Sequence, residues 1–201
     1  MSDYYLALVD PVANVTNAKE RANRLRDGLI VNGIISAETS EECVYGGLGH
    51  LPGPHLKDLY VLVEGLSDRP PELRDWDTLG ICGVEIHAEK WVNVFGFTVF
   101  ESAKCPACEK TFGNRSEIMT PLSAAVSHFL KRDEPTTLQC PSCQKTQTVQ
   151  SWITTPHLGF CHVAAQFWNW PRFDAPGWQI SIPEIASRIL ETNVVTTYGR
   201  M

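Results

Sequence analysis

The pairs Cys105-Pro106-Ala107-Cys108 and Cys140-Pro141-Ser142-Cys143 decide how this 201-residue chain is read. Two thiolates three positions apart can grip one ion from a tight turn, and a second such turn completes the four-sulfur tetrahedron that structural zinc prefers. Each turn aims backbone N–H groups at its sulfurs, and Pro106 and Pro141 stiffen the turns. The spacing is C-x2-C-x31-C-x2-C, longer than that of a compact ribbon, so the segment between the knuckles has room for an insertion. A helix from Thr120 to Arg132 fits there. Thr120-Pro121 supplies a cap and a first helical position, and Leu122, Ala125, Val126, Phe129 and Leu130 line one face. Strands before the first knuckle, at Thr136 to Leu138, and from Thr146 to Thr154 complete a zinc-ribbon layout over residues 91–154.

The expected ligands are therefore Cys105, Cys108, Cys140 and Cys143, and the expected cofactor is structural Zn2+. Iron in a rubredoxin-like site takes the same four thiolates. A thioredoxin-like redox motif would need one CxxC at a strand-to-helix junction rather than two matched copies. Four sulfurs close a tetrahedral shell, leaving no position for substrate or activated water, so the pattern points to stapling rather than zinc catalysis. One departure stands out. Knuckles often carry glycine after the second cysteine, where the backbone turns left-handed, and here Glu109 and Gln144 occupy those positions.

Working outward, Tyr4 to Val9 reads as a strand ended by Asp10-Pro11. Asn17 and Glu20 have capping-box spacing, and Ala18, Ala22, Leu25 and Leu29 recur at helical intervals, which predicts a helix from Asn17 to Val31 stopping near Gly33. Its basic face, Lys19, Arg21, Arg24 and Arg26, is interleaved with acids and reads as solvated surface. Tyr45 to Pro54 (YGGLGHLPGP) leaves little room for regular structure. It lacks the Lys-Ser/Thr and the glycine spacing of a phosphate cradle and reads as a structural loop. Leu59 to Glu64 reads as a short strand, Ser67 to Asp77 as a polar connection, and Val84 to Phe100 as one or two strands. Pro183 to Glu191 makes a short helix with Ile185 and Ile189 inward, and Val194 to Tyr198 a closing strand. The fold class expected is α+β, one domain over 1–201, with a small mixed or antiparallel sheet and the ribbon integrated as a subdomain.

Composition bounds the function. The chain is 43% apolar and 20% charged with a formal net charge of −6. Nucleic-acid binders usually show a basic patch, so nucleic acid is disfavoured as a partner; Lys104, Lys110 and Lys145 soften the negative charge of the knuckles. No apolar run approaches the ~20 residues a membrane helix needs. Met1-Ser2-Asp3-Tyr4-Tyr5 does not read as a secretory signal, and seven cysteines, four of them in metal spacing, fit a reducing compartment, so the expected location is the cytoplasm. Among candidate nucleophiles, Cys161-His162 is the best, yet neighbours on a strand point to opposite faces, and Cys161, Cys43 and Cys82 read as core cysteines. The remaining histidines form no ligand pattern. The aromatic run Phe167-Trp168-Asn169-Trp170-Pro171, with Trp152 and Trp178, reads first as core and second as a protein interface.

The two CPxC pairs, the tryptophan strand, FWNWP at Phe167 to Pro171 and the closing VVTTYGRM resemble a group of uncharacterised small bacterial zinc-ribbon proteins over roughly Cys105 to Met201. In size, charge and style the chain also resembles, more loosely, immunity proteins that neutralise interbacterial toxins. That resemblance implies a non-catalytic zinc-binding protein whose partner is another protein, a toxin in particular. The alternatives are a zinc-ribbon nucleic-acid or transcription-accessory module using Lys104, Lys110, Arg115, Lys131, Arg132 and Lys145, and an enzyme using Cys161 or a histidine.

Overall fold

A computed structural model describes residues 3–45, 47–54, 56–60 (the Lys57 side chain excepted), 81–94, 100–131 and 135–201. In chain order its elements are β1 (Tyr4–Val9), α1 (Ala18–Val31), β2 (Ile35–Ser40), β3 (Gly49–Pro52), α2 (Leu56–Leu59) and β4 (Val84–His87). Next come β5 (Ser102–Lys104), β6 (Thr111–Gly113), α3 (Met119–Lys131), β7 (Thr137–Gln139) and β8 (Thr146–Thr148). The chain closes with β9 (Ile153–Thr155), β10 (Ala164–Trp168), α4 (Ile182–Leu190) and β11 (Val195–Arg200). The class is α+β. Six strands form one sheet in the order β11-β1-β10-β4-β3-β2, and every neighbouring pair is antiparallel, so the sheet is not mixed.

The alternation in YYLALV explains why β1 lies inside that sheet. Leu6 and Leu8 point to one face and join Ala22, Leu25 and Leu29 of α1 and Ile182, Ile185 and Ala186 of α4. Tyr5, Ala7 and Val9 point to the other and meet Trp91, Cys161, Ala164 and Trp168. The apolar stripe of α1 repeats every three to four residues, so one face of the helix can be buried while its charges stay wet. Fully burying Leu25 and Leu29 contributes roughly 1.5–3 kcal/mol each. Asp10, at the end of β1, is buried against Arg21 of α1 with Nε–Oδ2 at 2.5 Å, and Arg21 also donates to the Leu190 carbonyl at the end of α4. One ion pair thus ties three elements.

The FWNWP segment is core. Phe167, Trp168 and Trp170 are all buried. Phe167 and Trp170 are three residues apart and would fall on opposite faces of a continuous strand. Asn169 prevents this by turning left-handed at φ 56°, a conformation asparagine tolerates better than most residues. Both rings then enter the helix-side core in edge-to-face contact, with centroids 5.0 Å apart, while Trp168 packs on the other face. Asn169 also ties down the strand end, accepting from Tyr4 N–H and donating to Asp3 and to the Ile81 carbonyl.

Several expectations are corrected. The glycine-rich stretch contains β3, paired with β2, and Gly49 within it lies so close to Val44 and Cys43 that a Cβ would not fit there. Of the strand expected over Leu59 to Glu64, Leu59 ends α2 and Tyr60 makes an isolated bridge to Trp178, while residues 61–64 lie outside the described residues, as does the connection from Ser67 to Asp77. Asn17 is an N-cap without a capping box, since its side chain accepts from Asn14 N–H instead of from the helix. Helix α3 begins at Met119, one residue before the expected cap Thr120, and Arg132 lies outside the described residues. The strand expected over Thr146 to Thr154 is broken into β8, a 3-10 turn at Val149–Ser151 and β9. Within Val84 to Phe100, β4 stops at His87 and Trp91 bridges Cys161, while residues 95–99 lie outside the described residues.

Candidate metal centre

The two CPxC turns sit at the tips of short hairpins. β5 enters the first knuckle and β6 leaves it, β5 pairing also with β9; β7 and β8 frame the second. Behind them a separate core joins Phe112, Ile118, Leu122, Val126, Phe129 and Trp152 to the buried side of the cysteines. Helix α3, between the two knuckles in sequence, supplies the apolar face that makes three- and two-stranded sheets of three residues per strand worth forming. Strands this short are not stable alone.

Both turns repeat one hydrogen-bond pattern. Cys105 N–H donates to the Lys110 carbonyl (3.0 Å) and Glu109 N–H to the Cys105 carbonyl (3.0 Å). In the second turn, Cys140 N–H donates to Lys145 (3.0 Å) and Gln144 N–H to Cys140 (2.9 Å). Closing that loop demands a left-handed residue after the second cysteine, and Glu109 and Gln144 adopt φ of 59° and 60°. The positions where glycine is expected are therefore left-handed here as well, held by longer side chains.

The four sulfurs of Cys105, Cys108, Cys140 and Cys143 lie within 4.8 Å of one another. Cys108 Sγ and Cys140 Sγ, one from each knuckle, are 3.8 Å apart. A tetrahedron with metal–sulfur bonds of about 2.3 Å has edges of about 3.8 Å, so the four-thiol set fits a single ion. Cys105 and Cys140 are buried in the ribbon core, Cys143 is half-buried and Cys108 is exposed, which places the site at the surface with its inner half fixed by packing. Ala107 N–H approaches Cys105 Sγ at 3.4 Å, the kind of donor that stabilises a metal-bound thiolate.

Proton affinities in the cluster diverge. Burial raises the Cys140 thiol, but hydrogen bonds from the Cys143 and Ser142 backbone and from neighbouring thiols outweigh it and bring it down to about 7. The Lys110 backbone favours the Cys108 thiolate, yet burial and three adjacent sulfurs push that thiol up to about 11. Four sulfurs this close cannot all ionise without a cation to offset their repulsion. Lys104 is engaged with Glu109 at 3.5 Å, and Lys110 and Lys145 are exposed.

The other candidates are kept apart. Cys161 lies in the sheet core with its sulfur 3.9 Å from the Trp91 carbonyl, and burial pushes its thiol well above the ordinary range. The neighbouring His162 packs its ring on Phe129 of the ribbon core, so thiol and imidazole diverge even though the pair lies just before β10 and not in a strand. Cys43 and Cys82 are also buried. His50 contacts the Ser36 carbonyl, His87 the Gln166 side chain and His128 the Thr136 hydroxyl, which gives each a local structural partner; His55 lies outside the described residues. Among the described residues the four-cysteine set is the one cluster of metal-ligating side chains. Sequence spacing singled out the four cysteines that the structure brings together; it gave no sign that α3 forms the wall behind them, because that wall is assembled across 31 intervening residues. No protein-family model, curated protein or solved structure matches this chain.

Proposed function

We propose that the chain is a non-catalytic protein whose ribbon is stapled by structural zinc and whose work is to bind another protein, as an immunity protein masks a toxin. Zinc is favoured because a closed shell of four thiolates in two matched knuckles is a structural zinc set, although iron accepts the same sulfurs. The observation that carries the partner reading is the distribution of charge. Of the 23 acidic residues 15 fall in the first 100 positions, against 8 of the 17 basic ones. On the outer strand β2 and just beyond it, Glu38, Glu41 and Glu42 are exposed. A surface of that sign steers and orients a basic partner, such as a nuclease or nucleotide-binding toxin. Burial of Cys161 removes the one thiol–imidazole pair the sequence offered for nucleophilic chemistry, which further supports a binding role.

The test is co-expression with the product of the adjacent gene in a growth assay. Rescue of growth by the chain, lost when Glu38, Glu41 and Glu42 are together changed to Lys, is the expected result. Absence of rescue together with absence of a co-purifying partner overturns the reading. Metal analysis of freshly purified, reduced protein should give close to one zinc per chain.

A further inference from the structure

A cleft of about 1030 Å³ opens where the outer strand β11 meets the segment 154–157 and the loop 171–176, on the helix side of the large sheet. Its depth is apolar: Leu6, Pro156 and Pro171 line it and are buried. Its rim is polar, formed by the exposed Arg172, Asp174, Tyr198 and Arg200. In a chain of net charge −6, this lining carries two guanidinium groups and one carboxylate. Burial holds His157 neutral, so it adds no charge.

Arg172 is fixed in place before any ligand arrives. Its Nε and Nη2 donate to the two oxygens of Asp174 at 2.9 and 3.0 Å, and the guanidinium lies over the Tyr198 ring at 5.8 Å from the centroid. A bidentate, ring-stacked arginine loses little side-chain freedom when it contacts a further acceptor. The prolines stiffen the walls in the same sense.

The edge of β11 is engaged at Tyr198. In its register with β1, Tyr198 opposes Leu6 and turns its peptide groups outward, but its carbonyl is taken by Asn93 Nδ2 at 2.8 Å. Asn93 also donates to the Thr197 hydroxyl at 2.6 Å, and that hydroxyl donates to the His157 carbonyl. This polar clasp fixes β11 to the segment that carries His157, so the two walls of the cleft are held together. The volume is at the upper end of the roughly 300–1,000 Å³ typical of small-molecule sites.

We propose that this cleft binds a small amphipathic anion, with a flat apolar body against Leu6, Pro156 and Phe173 and a carboxylate or sulfonate on the arginine-bearing rim. The site is independent of any protein partner. Its probe is 8-anilinonaphthalene-1-sulfonate, titrated into the metal-loaded full chain by calorimetry and fluorescence. One molecule should bind per chain with a dissociation constant on the order of tens of micromolar. Arg200→Gln should weaken binding about fivefold, and Arg172→Gln more, because it leaves Asp174 as an unpaired anion on the rim. The uncharged N-phenyl-1-naphthylamine should bind more weakly than the sulfonate and be unaffected by Arg200→Gln. Thr196→Trp, at an exposed position of the lining, should abolish binding with the melting temperature retained; if that variant fails to fold, the two exposed-rim glutamine variants decide. No saturable binding, several equivalent sites, or equal affinity in both glutamine variants and the parent chain overturns the proposal.

Discussion

Glu109 and Gln144 hold the left-handed positions that close the two knuckles, and a side chain there costs about 1 kcal/mol relative to glycine. Glu109→Gly removes that strain and gives up only an exposed contact with Lys104 at 3.5 Å, itself worth little. We expect it to stabilise the metal-loaded protein by about 0.5–1 kcal/mol, read as a higher urea midpoint at unchanged slope. Gln144→Val, with a branched Cβ at the same φ, should lower the midpoint. These strained positions were legible in the sequence because the knuckle dictates its own backbone. Asn169 was not, since nothing in FWNWP announces a left-handed residue until Phe167 and Trp170 are seen to share a face. His87 makes a pH prediction. Burial is the main cause of its lowered proton affinity, partly opposed by Glu85 and by the contact with Gln166, so its folded pKa lies below the ordinary 6.5. The unfolded chain takes up a proton in that window and the folded one does not, so its contribution to stability is present above pH 6.5 and is lost as pH falls through the folded value. Comparing His87→Gln with the parent isolates this group from metal loss: the variant's urea midpoint should decline less between pH 7.5 and 5.5. An equal decline would show that His87 takes no part.

Elements with one wet and one dry face were readable from their spacing. α1, α3, α4 and β11 all fall within a few residues of expectation, since burial on one side leaves a periodic trace; β1, buried on both faces, was legible instead as an unbroken apolar run ended by Asp10-Pro11. β10 is buried at all five positions, so its alternation is erased, and β2 carries Glu38 and Thr39 in the open with no apolar pattern to betray it. β2 also illustrates how an outer strand is blunted. Its register with β3 slips between Ile35 and Thr39, Glu38 N–H is taken by the Ser36 hydroxyl, and the Glu38 side chain is exposed and charged, all of which oppose edge-to-edge pairing. Asp10–Arg21–Leu190 joins the end of β1 to α1 and to the end of α4. Asp10→Ala leaves the Arg21 charge half-buried without its carboxylate and frees the Val12 N–H that Asp10 accepts, so the loss should be about 3 kcal/mol. Replacing both ends, Asp10→Leu with Arg21→Met, should cost distinctly less than the sum of the single changes, because no charge is then stranded. Additive losses in a double-mutant cycle would mean that the pair is not coupled.

At the scale of the molecule, two cores meet without merging. The six-stranded sheet buries its helix side with α1 and α4 and its other side with Tyr5, Trp91 and Trp168, whereas the ribbon closes around α3 and the cysteines. The large sheet owes its stability to burial on both faces of β1 and β10 and contains none of the four clustered cysteines. The ribbon is built from strands of three residues, and its two hairpins are brought together by the sulfurs and by α3. Metal binding to such a unit is folding free energy, on the order of 10 kcal/mol in isolated zinc-finger peptides. Stripping the ion with a strong chelator under reducing conditions should therefore act unevenly. Amide hydrogens of residues 102–113 and 137–155 should lose protection while those of β1 and β10 keep theirs, and restoring one equivalent of zinc should recover the ribbon. Cys140→Ser should reproduce the stripped pattern even with zinc in excess, since Cys140 is one of the two clustered cysteines buried in the ribbon core. Loss of protection throughout β1 and β10 on metal removal would show that the two cores fold as one unit, with the cysteine clamp holding the whole chain instead of only the ribbon inserted between β4 and β10.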